Sequence, residues 1–442
     1  MNVVFLIADD LNDSLGCYGG PTKTPFIDEF AKHSIRFTNV STPVPLCCPA
    51  RTALLTGMAP WKSGVYTNYQ YFRRSPTLEN VVTMPQMFQQ HNYMTISSGK
   101  VFHKNRGPYE DTPSWDIINH TIGNGGHPHP KKVLSHGFHD KVAVNYYKKA
   151  FDFAPIERDN WSTGDYRNAY WITELLDRSF SRSTFMAYGS SMPHIPWYVP
   201  QKYFDLYDLD SIQPPVEQAK IFDALPHRAK IQAESCKFTP LLLEYDRLKH
   251  ALQGYYASVS FADECHGMII NKIMNSKHRD NTIIILTSDH GFHLGEKLTW
   301  CKFKPWERAV KIPLFIRIPG MEMGGICDYP TSLLDIFPTL AAYFGWEHPH
   351  TLDGENLLPH FGNSIRKNRN VVCASCYNAF YTVRDRRFRL IKWTTGDIEL
   401  YDIQNDPGER VNLAVDNEFL PIIESMQRSL PTHPAPSLPE IP

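Results

Sequence analysis

Two uninterrupted apolar runs, each ending in acidic residues, constrain the fold of this chain more than any other feature. Residues 3–8 end in Asp9-Asp10, and residues 282–287 lead through Ser288 into Asp289-His290. Runs without polar alternation predict strands that are covered on both faces, as in a parallel sheet. Open α/β sheets bind ligands beyond the carboxyl ends of such strands. The two runs therefore predict one sheet with a site at the edge where both strands end.

The adjacent carboxylates of Asp9 and Asp10 favour a bound cation. Two neighbouring carboxylates repel each other unless a cation or a proton is shared, and hard divalent cations prefer oxygen ligands. The alternative is a helix cap and turn, which the nearby Asn12 and Asp13 would support. The residues of this stretch alone leave both interpretations open.

Helical and strand patterns alternate along most of the chain. Strands are predicted at 34–40, 94–98, 184–189 and 313–317, and helices at 24–31, 168–176, 245–273 and 333–344. After Gly362 short strands follow at 371–374, 379–384, 388–393 and 399–402, with a closing helix at 418–430. We therefore predict an α/β fold with a large doubly wound mixed sheet sandwiched by helices, over residues 1–365, and a smaller C-terminal antiparallel-sheet subdomain over 366–442.

Composition places the chain among soluble globular proteins. Its 442 residues are 42% hydrophobic and 21% charged, with a formal net charge of −1. This balance gives no general attraction to nucleic acid or to acidic membranes, so an anionic substrate needs a local cluster of cations. No apolar run approaches the length of a membrane helix. The nine cysteines lack the paired spacing of zinc sites.

The stretch 45–57 places two cysteines where a helix is predicted to start. It reads Pro-Leu-Cys-Cys-Pro-Ala-Arg-Thr-Ala-Leu-Leu-Thr-Gly. A residue before proline avoids the helical region, so Cys47 and Cys48 are expected on the turn that enters the helix, near its free N–H groups and positive dipole end. A nucleophile that faces an anion fits this position. The alternative is that both are small buried residues at a helix start.

Two further stretches carry polar side chains in positions that suit an anion. Lys100 and His103 follow a predicted strand in Gly-Lys-Val-Phe-His, although a plain loop is the alternative. His194 stands between two prolines, which would present it rigidly as a positioned acid.

The motif Cys47-x-Pro49-x-Arg51, followed by Thr56-Gly57, resembles the sulfatase signature, in which the first cysteine is oxidised to formylglycine (3-oxoalanine). The register assigns the modification to Cys47, because Cys48 would place Ala50 and Thr52 where the signature has Pro and Arg. Other segments match in family order: Ala8-Asp9-Asp10-Leu11, Leu15-Gly16-Cys17-Tyr18-Gly19, Thr83-Met84-Pro85-Gln86, Gly99-Lys100-Val101-Phe102-His103, Pro193-His194-Ile195-Pro196, Thr287-Ser288-Asp289-His290-Gly291, Leu294-Gly295-Glu296 and Glu399-Leu400-Tyr401-Asp402. The chain thus resembles, from end to end, the formylglycine-dependent sulfatases of the alkaline phosphatase superfamily, and most of all the iduronate-2-sulfatase group.

The resemblance implies a metal site made of Asp9, Asp10, Asp289, His290 and the formylglycine derived from Cys47. Calcium is the usual ion of the family, and magnesium stays open because an imidazole ligand is softer than calcium prefers. The hydrated aldehyde has two hydroxyls. One attacks sulfur, and deprotonation of the other expels sulfate, which is covalent catalysis with its own release step.

The resemblance also implies roles for five basic side chains. Arg51 would anchor and charge-balance the formylglycine, Lys100 would bind sulfate, and His103 would deprotonate the spare hydroxyl during release. On the leaving-group side, His194 would be the general acid for the alcohol, and Lys302 would contact the bridging oxygen. Lys302 is preferred to Lys304 on alignment with the family alone.

The expected substrate is a sulfate ester on a sugar of a polysaccharide or oligosaccharide, including a 2-O-sulfated uronate. The candidate sugar contacts are Tyr69, Arg73, Arg74, Trp197 and the loop 104–132. The alternative is that these are surface and packing residues. A formylglycine-generating enzyme is the implied maturation partner. Because the resemblance is to exported enzymes, we expect an exported protein whose signal peptide is not in this chain.

Two other functions remain on the same scaffold. A phosphomonoester or phosphonate hydrolase would use a similar tetrahedral site, although the further Asp and His ligands of two-metal relatives are not found. A non-catalytic carbohydrate-binding homologue would have lost the nucleophile or the metal ligands, and all of these are present.

Overall fold

The computed structural model describes residues 1–103, 109–119, 151–215, 218–236, 238–321, 324–361, 368–375 and 379–441. Within these ranges the strands are β1 Asn2–Ala8, β2 Ile35–Phe37, β3 Val40–Ser41, β4 Met94–Gly99, β5 Ile117–Asn119, β6 Phe153–Ile156, β7 Thr184–Gly189, β8 Trp197–Pro200, β9 Thr282–Ser288, β10 His293–Leu294, β11 Trp300–Cys301, β12 Leu314–Arg317, β13 Ile326–Cys327, β14 Thr331–Ser332, β15 Val371–Ala374, β16 Phe380–Arg384, β17 Phe388–Trp393 and β18 Ile398–Asp402. The α-helices are α1 Pro25–Ala31, α2 Cys47–Thr56, α3 Pro60–Ser63, α4 Met84–Gln90, α5 Gly164–Leu176, α6 Gln201–Phe204, α7 Gln218–Asp223, α8 His227–Glu234, α9 Phe238–Glu244, α10 Leu248–Met274, α11 Glu307–Val310, α12 Ile336–Phe344 and α13 Leu420–Gln427.

An eight-stranded mixed sheet forms the centre of the protein. Its strand order is β13-β2-β12-β9-β1-β7-β4-β5. The strands β9, β1, β7 and β4 are mutually parallel, and β12 runs antiparallel to both of its neighbours. The pairing aligns Ala8 with Ser288 and Gly189 with Gly99. Four parallel strands therefore end at nearly the same level, which brings the residues that follow them to one edge.

Both faces of β1 are covered, which explains its unbroken apolar sequence. Val4 and Leu6 belong to a core cluster that includes residues of α5 and α10. Val3, Phe5 and Ile7 belong to the opposite cluster, which includes residues of α4 and α12. Because alternate side chains of a strand point to opposite faces, a strand between two helical layers has no polar face. The predicted helix-sandwiched α/β sheet is confirmed.

A four-stranded antiparallel sheet, β15-β16-β17-β18, follows near the C-terminus. One face packs against α13 through Ile423 and Met426. The other face packs Trp393 and Tyr401 against Trp306, which belongs to the segment just after β11. The predicted C-terminal antiparallel sheet is confirmed, whereas the predicted boundary at residues 365 and 366 lies outside the described residues.

Element ends differ from the predictions by a few residues. The long helix predicted at 245–273 is Leu248–Met274, and the closing helix predicted at 418–430 is Leu420–Gln427. The proline-rich C-terminal segment runs along the surface, where the N–H groups of Ala435 and Leu438 donate to the carbonyls of Trp61 and Gly64 at 2.7 and 3.0 Å. Across the described residues, no helix is both long and apolar enough to cross a membrane.

Candidate active site

The carboxyl ends of β1 and β9 bring four of the predicted metal ligands together. Asp9 and Asp10 follow β1, Asp289 and His290 follow β9, and all four side chains are fully buried. Nδ1 of His290 lies 3.2 Å from Oδ1 of Asp10, and Nε2 of His290 lies 3.6 Å from Oδ1 of Asp289. The parallel register of these strands is the reason that residues 280 positions apart in sequence share one site.

Cys47 is the first residue of α2, and its thiol reaches the same cluster. The helix begins two residues before Pro49 and so includes both cysteines, which corrects the expectation that they precede it on a turn. Proline is accommodated there because the first-turn N–H groups have no partner inside the helix. Sγ of Cys47 lies 3.3 Å from Nε2 of His290 and 3.5 Å from Oδ1 of Asp9. This sulfur marks where the oxygens of a converted side chain would stand.

The donor atoms of this cluster suit a divalent cation. Three buried carboxylates repel one another unless positive charge lies between them. Carboxylate oxygens are the ligands of Ca²⁺ and Mg²⁺, and the imidazole of His290 is the one softer donor. The donor atoms form two overlapping sets, each within 4.8 Å: Asp9, Cys47, Asp289 and His290, and Asp9, Asp10 and His194. Because the sets share Asp9, they describe a single centre.

Two buried lysines face residue 47 from different loops. Nζ of Lys302 lies 3.1 Å from Sγ of Cys47 and 3.1 Å from Oδ1 of Asp10. Lys100 forms an ion pair with the carboxylate of Asp9. Burial alone would raise the pKa of the Cys47 thiol, but Lys100, Lys302 and the His290 ring hold that pKa well below its ordinary value. The pocket therefore stabilises negative charge on the side chain at position 47.

Arg51 is fully buried one turn into α2 and holds the strand ends in place. Its Nε donates to Oδ2 of Asp289 at 2.7 Å. Its other nitrogens donate to the carbonyls of Ala8 at 3.2 Å and Val101 at 3.1 Å, and to that of Lys100. The guanidinium thus orients a predicted metal ligand and ties α2 to β1 and β4.

His103 lies beside Cys47 and is partly buried. Burial lowers the pKa of the His103 ring to about 4, against the opposing effect of its hydrogen bond with Cys47. The ring is therefore neutral at physiological pH and is available to accept a proton. Tyr109 contacts the same ring edge-on, with centroids 5.7 Å apart. Sequence reasoning missed Tyr109, whose one signal is an aromatic residue shortly after the Gly-Lys-Val-Phe-His segment.

His194 lies on the loop after β7, on the open side of the site. Its Nε2 is 3.8 Å from Oδ2 of Asp10, and its side chain is 32% exposed. Its Nδ1 contacts the carbonyl oxygen of Ile195 at 2.5 Å. If Nδ1 carries the hydrogen and donates it there, Nε2 is the ring nitrogen that faces the site.

The loop that carries His194 is anchored by a buried acid that the sequence did not single out. Oδ2 of Asp165, at the start of α5, accepts the N–H groups of Ser191 at 2.9 Å and Met192 at 2.8 Å. Oγ of Ser190 lies 3.0 Å from Nε2 of His266. The one sequence signal at Asp165 is its place in the first turn of a helix, which acids occupy in many proteins.

The structure separates the two candidate lysines of the loop after β11. Lys302 points to Cys47, as described above. Lys304 points away and donates to Oγ of Ser235 at 2.6 Å and to the carbonyl of Gln232. The geometry therefore places Lys302, rather than Lys304, in the pocket.

Comparison with known proteins identifies the family of this chain. Residues 1–346 match the family model described as Sulfatase. The chain belongs to the sulfatase family. Residues 295–434 also match a model described as N-sulphoglucosamine sulphohydrolase, C-terminal. As a member of this family, the protein is a sulfuric ester hydrolase of the alkaline phosphatase superfamily.

Individual relatives cover nearly the whole sulfatase. A "Sulfatase" of Formosa agariphila is 30% identical over 97% of this chain and 86% of that protein. Human iduronate 2-sulfatase is 29% identical over 82% of this chain and 74% of that protein. Among solved structures, the phosphonate monoester hydrolase of Agrobacterium radiobacter superposes with a TM-score of 0.74 at 21% identity, covering 97% of this chain and 94% of that one. The last likeness concerns the fold.

Two of the predicted sugar contacts of this sulfatase are structural residues. Trp197 is 0% exposed, lies in the main core cluster and donates from Nε1 to the carbonyl of Pro193 at 2.7 Å, so no ring face is open to a sugar. Arg73 is paired with Asp111 at 2.8 Å and also donates to the Gln86 side chain at 3.0 Å. Both predictions are wrong, because an aromatic or basic residue near a site in sequence does not reveal which way it faces.

The other two predicted contacts lie at an exposed rim. Tyr69 is 41% exposed, and Arg74 is exposed. Both interact electrostatically with Tyr109, whose ring contacts His103. The predicted recognition loop 104–132 lies outside the described residues except for 109–119. The rim therefore consists of Tyr69, Arg74 and Tyr109.

Proposed function

We propose that this sulfatase removes an O-sulfate group from a sugar of a sulfated polysaccharide or oligosaccharide, with residue 47 as its nucleophile after conversion to formylglycine. One observation carries the proposal: two lysines, His103 and His290 surround Cys47 at a buried cluster of carboxylates, and His194 lies on the Asp10 side of the same cluster. A site with this much positive charge around one nucleophile suits a tetrahedral anion.

Conversion of Cys47 requires a formylglycine-generating enzyme. The hydrated aldehyde would supply one hydroxyl to attack sulfur and a second whose deprotonation releases sulfate. Because Cys47 is fully buried, the enzyme must act before the fold closes around α2. We also propose that the protein is exported, which is compatible with conversion of Cys47 in the unfolded chain.

The proposed cation is Ca²⁺, with Mg²⁺ as the alternative. Its ligands would be Asp9, Asp10, Asp289 and His290. When bound, the cation would act as a Lewis acid on the sulfate and would orient it beside residue 47. Arg51 supports this arrangement from behind, because its 2.7 Å bond to Asp289 fixes the direction of that carboxylate. Second-sphere contacts of this kind commonly tune ligand geometry.

On the nucleophile side, Lys100 and His103 have different tasks. Lys100 neutralises charge on a sulfate oxygen, for which its place between Asp9 and Cys47 is suitable. His103 accepts the proton of the spare hydroxyl, since its ring lies beside residue 47 and its lowered pKa leaves it neutral, with a free lone pair, at working pH. Release of sulfate then regenerates the aldehyde.

On the other side, His194 and Lys302 assist the leaving alcohol. A sugar alkoxide is a poor leaving group unless it is protonated as the sulfur–oxygen bond breaks. When the His194 ring is doubly protonated, Nδ1–H points to the carbonyl of Ile195 and Nε2–H faces the site, where it can give this proton. Lys302 stabilises the charge that builds on the bridging oxygen, and its Nζ already lies 3.1 Å from residue 47.

For the sugar itself we propose a 2-O-sulfated uronate. The support is the likeness to iduronate 2-sulfatase and the exposed rim of Tyr69, Arg74 and Tyr109. Aromatic rings stack on sugar faces, and a guanidinium pairs with the carboxylate that distinguishes uronates from neutral sugars. Mutation of Arg74 to Gln should then raise KM for uronate substrates more than for a sulfated neutral sugar.

The test combines maturation and turnover. Mass spectrometry of the peptide that contains residue 47, from protein made in its native host, should show the aldehyde in place of the thiol. Sulfate and phosphate monoesters of the same alcohol should then be compared, with faster loss of sulfate expected. An unmodified thiol would overturn the proposed nucleophile and count against catalysis. Faster phosphate hydrolysis would overturn the proposed reaction and favour a phosphohydrolase on the same fold.

A further inference from the structure

The segment that carries Lys302 is hydrogen-bonded to the end of α8 and to the start of α9. Nε2 of Gln232 donates to the carbonyl of Phe303 at 2.7 Å. Oγ1 of Thr239 donates to the carbonyl of Leu298 at 2.5 Å. These two bonds bracket Cys301 on the segment that carries Lys302 and Cys236 between α8 and α9.

The thiols of Cys236 and Cys301 face each other in hydrogen-bonding contact, and both are free. Cys236 is partly exposed, whereas Cys301 is buried. The hydrogen bond from Cys301, together with the nearby ammonium of Lys304, lowers the pKa of Cys236 to about 6 against the effect of burial. Burial raises the pKa of Cys301 well above its ordinary value, so Cys301 is the thiol that donates. A partly exposed thiol with a lowered pKa therefore lies beside a second, buried thiol, which is the arrangement that thiol–disulfide exchange requires.

We propose that Cys236 and Cys301 are a redox-active pair that closes to a disulfide by exchange with a small-molecule disulfide. The Cys236 thiolate attacks one sulfur of oxidised glutathione, which forms a mixed disulfide and expels one glutathione thiolate. Cys301 then loses its proton to solvent and attacks the Cys236 sulfur, which expels the second glutathione. Two protein thiols are oxidised, and one external disulfide is reduced to two thiols.

Formation of this disulfide should displace Lys302 and lower turnover, a step that rests on the function proposed above. Lys302 stands between Cys301 and Phe303, whose φ angles of +75° and +70° lie in the left-handed region. Such backbone is held by its surroundings rather than by its own preference. Drawing Cys301 towards Cys236 therefore shifts Lys302 from its position 3.1 Å from residue 47. We expect turnover to fall roughly tenfold, since small misplacements of a charged catalytic group are costly.

The chemical part of the proposal is tested without any activity assay. The purified protein is incubated with oxidised glutathione at neutral pH, quenched with an alkylating reagent and digested without reductant. We expect a cross-linked peptide that joins Cys236 to Cys301, and in the Cys301→Ser variant a glutathione adduct on Cys236. Cys17 is the matched control, because it is also partly exposed but burial and Asp28 raise the pKa of its thiol.

Each outcome decides one part of the proposal. Absence of the cross-link in the wild type, or alkylation of Cys236 no faster than of Cys17, would overturn it. The cross-linked protein should lose turnover and regain it with a phosphine reductant, whereas Cys236→Ser should keep its turnover under both conditions. A cross-link that leaves turnover unchanged would overturn the effect on Lys302. If neither state hydrolyses sulfate esters, the proposed function fails while the cross-link still decides the redox pair.

Discussion

The nucleophile half of the site and its leaving-group half are built differently. Asp9, Cys47, Arg51 and Asp289 are all fully buried, and each follows a strand of the parallel sheet or lies on α2. His194, by contrast, is 32% exposed on a loop. The first half is held by sheet register and by a buried guanidinium, whereas the second depends on a few contacts between loops.

The difference has a physical reason. The proposed nucleophile and the proposed metal ligands must keep one geometry through every cycle, and rigid elements position such groups most accurately. The leaving group is the part of the substrate that varies and departs, so the side that receives it must open to solvent. Four predictions test this contrast.

The largest effect is expected at the centre of the rigid half. Cys47→Ala should lower turnover by roughly 10⁵-fold, because no other side chain can replace the nucleophile. Cys48→Ala should keep most of the turnover, since the Cys48 thiol points to the carbonyl of Gln70 at 3.4 Å and away from the pocket. Steady-state kinetics of the two variants would measure this, and equal losses would contradict the assignment of the signature to Cys47.

The open half should give a loss that depends on the substrate. His194→Ala should lower kcat for a sugar sulfate by on the order of 10³-fold, because the alkoxide then leaves without a proton. For 4-nitrophenyl sulfate, whose phenolate leaves unaided, we expect a loss below about tenfold. The same variant assayed on both esters provides its own control. Equal losses would show that His194 does not act as the acid.

The contrast also explains how much of the molecule could be predicted from its sequence. The apolar runs 3–8 and 282–287 are strands because both faces of each are covered, and the acids at their ends meet because the strands are parallel neighbours. Both statements follow from local pattern and general rules of sheet topology. That Asp9, Asp10, Asp289 and His290 meet at one edge of the sheet was therefore expected from the residues themselves, whereas their assignment as metal ligands came from the family resemblance.

The loops could not be predicted in the same way. Trp197 and Arg73 were assigned to the substrate and instead pack inward, because the direction of a loop side chain depends on tertiary contacts that no periodic pattern encodes. Lys302 was distinguished from Lys304 by family likeness alone, and two left-handed residues beside it set which lysine faces the pocket. Asp165 carries no sequence signal that links it to His194.

Asp165 offers a finer test of the open half. Asp165→Asn keeps the size of the side chain but weakens the two bonds that hold Ser191 and Met192, so His194 should be less well positioned. We expect kcat for a sugar sulfate to fall roughly tenfold, with KM almost unchanged. The measurement is kcat and KM on the sugar sulfate and on 4-nitrophenyl sulfate.

A role in positioning the acid predicts that the loss nearly disappears with the nitrophenyl ester. A general loss of folded protein would lower both activities alike, which would contradict the positioning role. Asp177→Asn is a suitable control, because Asp177 is 62% exposed at the other end of the same helix and pairs with Lys272 at the surface. That variant should match the wild type on both substrates.

The last prediction concerns Glu307, where the loop of Lys302 meets the C-terminal sheet. A change there should affect turnover least and should lower the free energy of unfolding by a measurable amount. Glu307 forms ion pairs with Arg384 at 2.6 Å and with Arg389. Burial alone would raise the pKa of Glu307, but the two arginines lower it to about 2. An acid with a lowered pKa in the folded state stabilises the fold above its ordinary pKa near 4.5 and loses this contribution as pH falls towards 2.

Glu307→Gln should therefore lower the free energy of unfolding by about 3 kcal/mol at pH 7, because it leaves the buried Arg384 without its ion-pair partner and Arg389 with Glu409 alone. The difference from wild type should shrink as pH falls below 4.5, because the unfolded wild-type chain then binds a proton at Glu307 while the folded protein keeps this carboxylate charged down to a pKa of about 2. Urea unfolding at pH 7 and pH 3 would measure both values. Glu29→Gln is the control, since Glu29 pairs with Lys32 but is 58% exposed, and its unfolding midpoint should not change. A pH-independent difference at Glu307 would mean that packing, rather than charge, joins the loop of Lys302 to the C-terminal sheet.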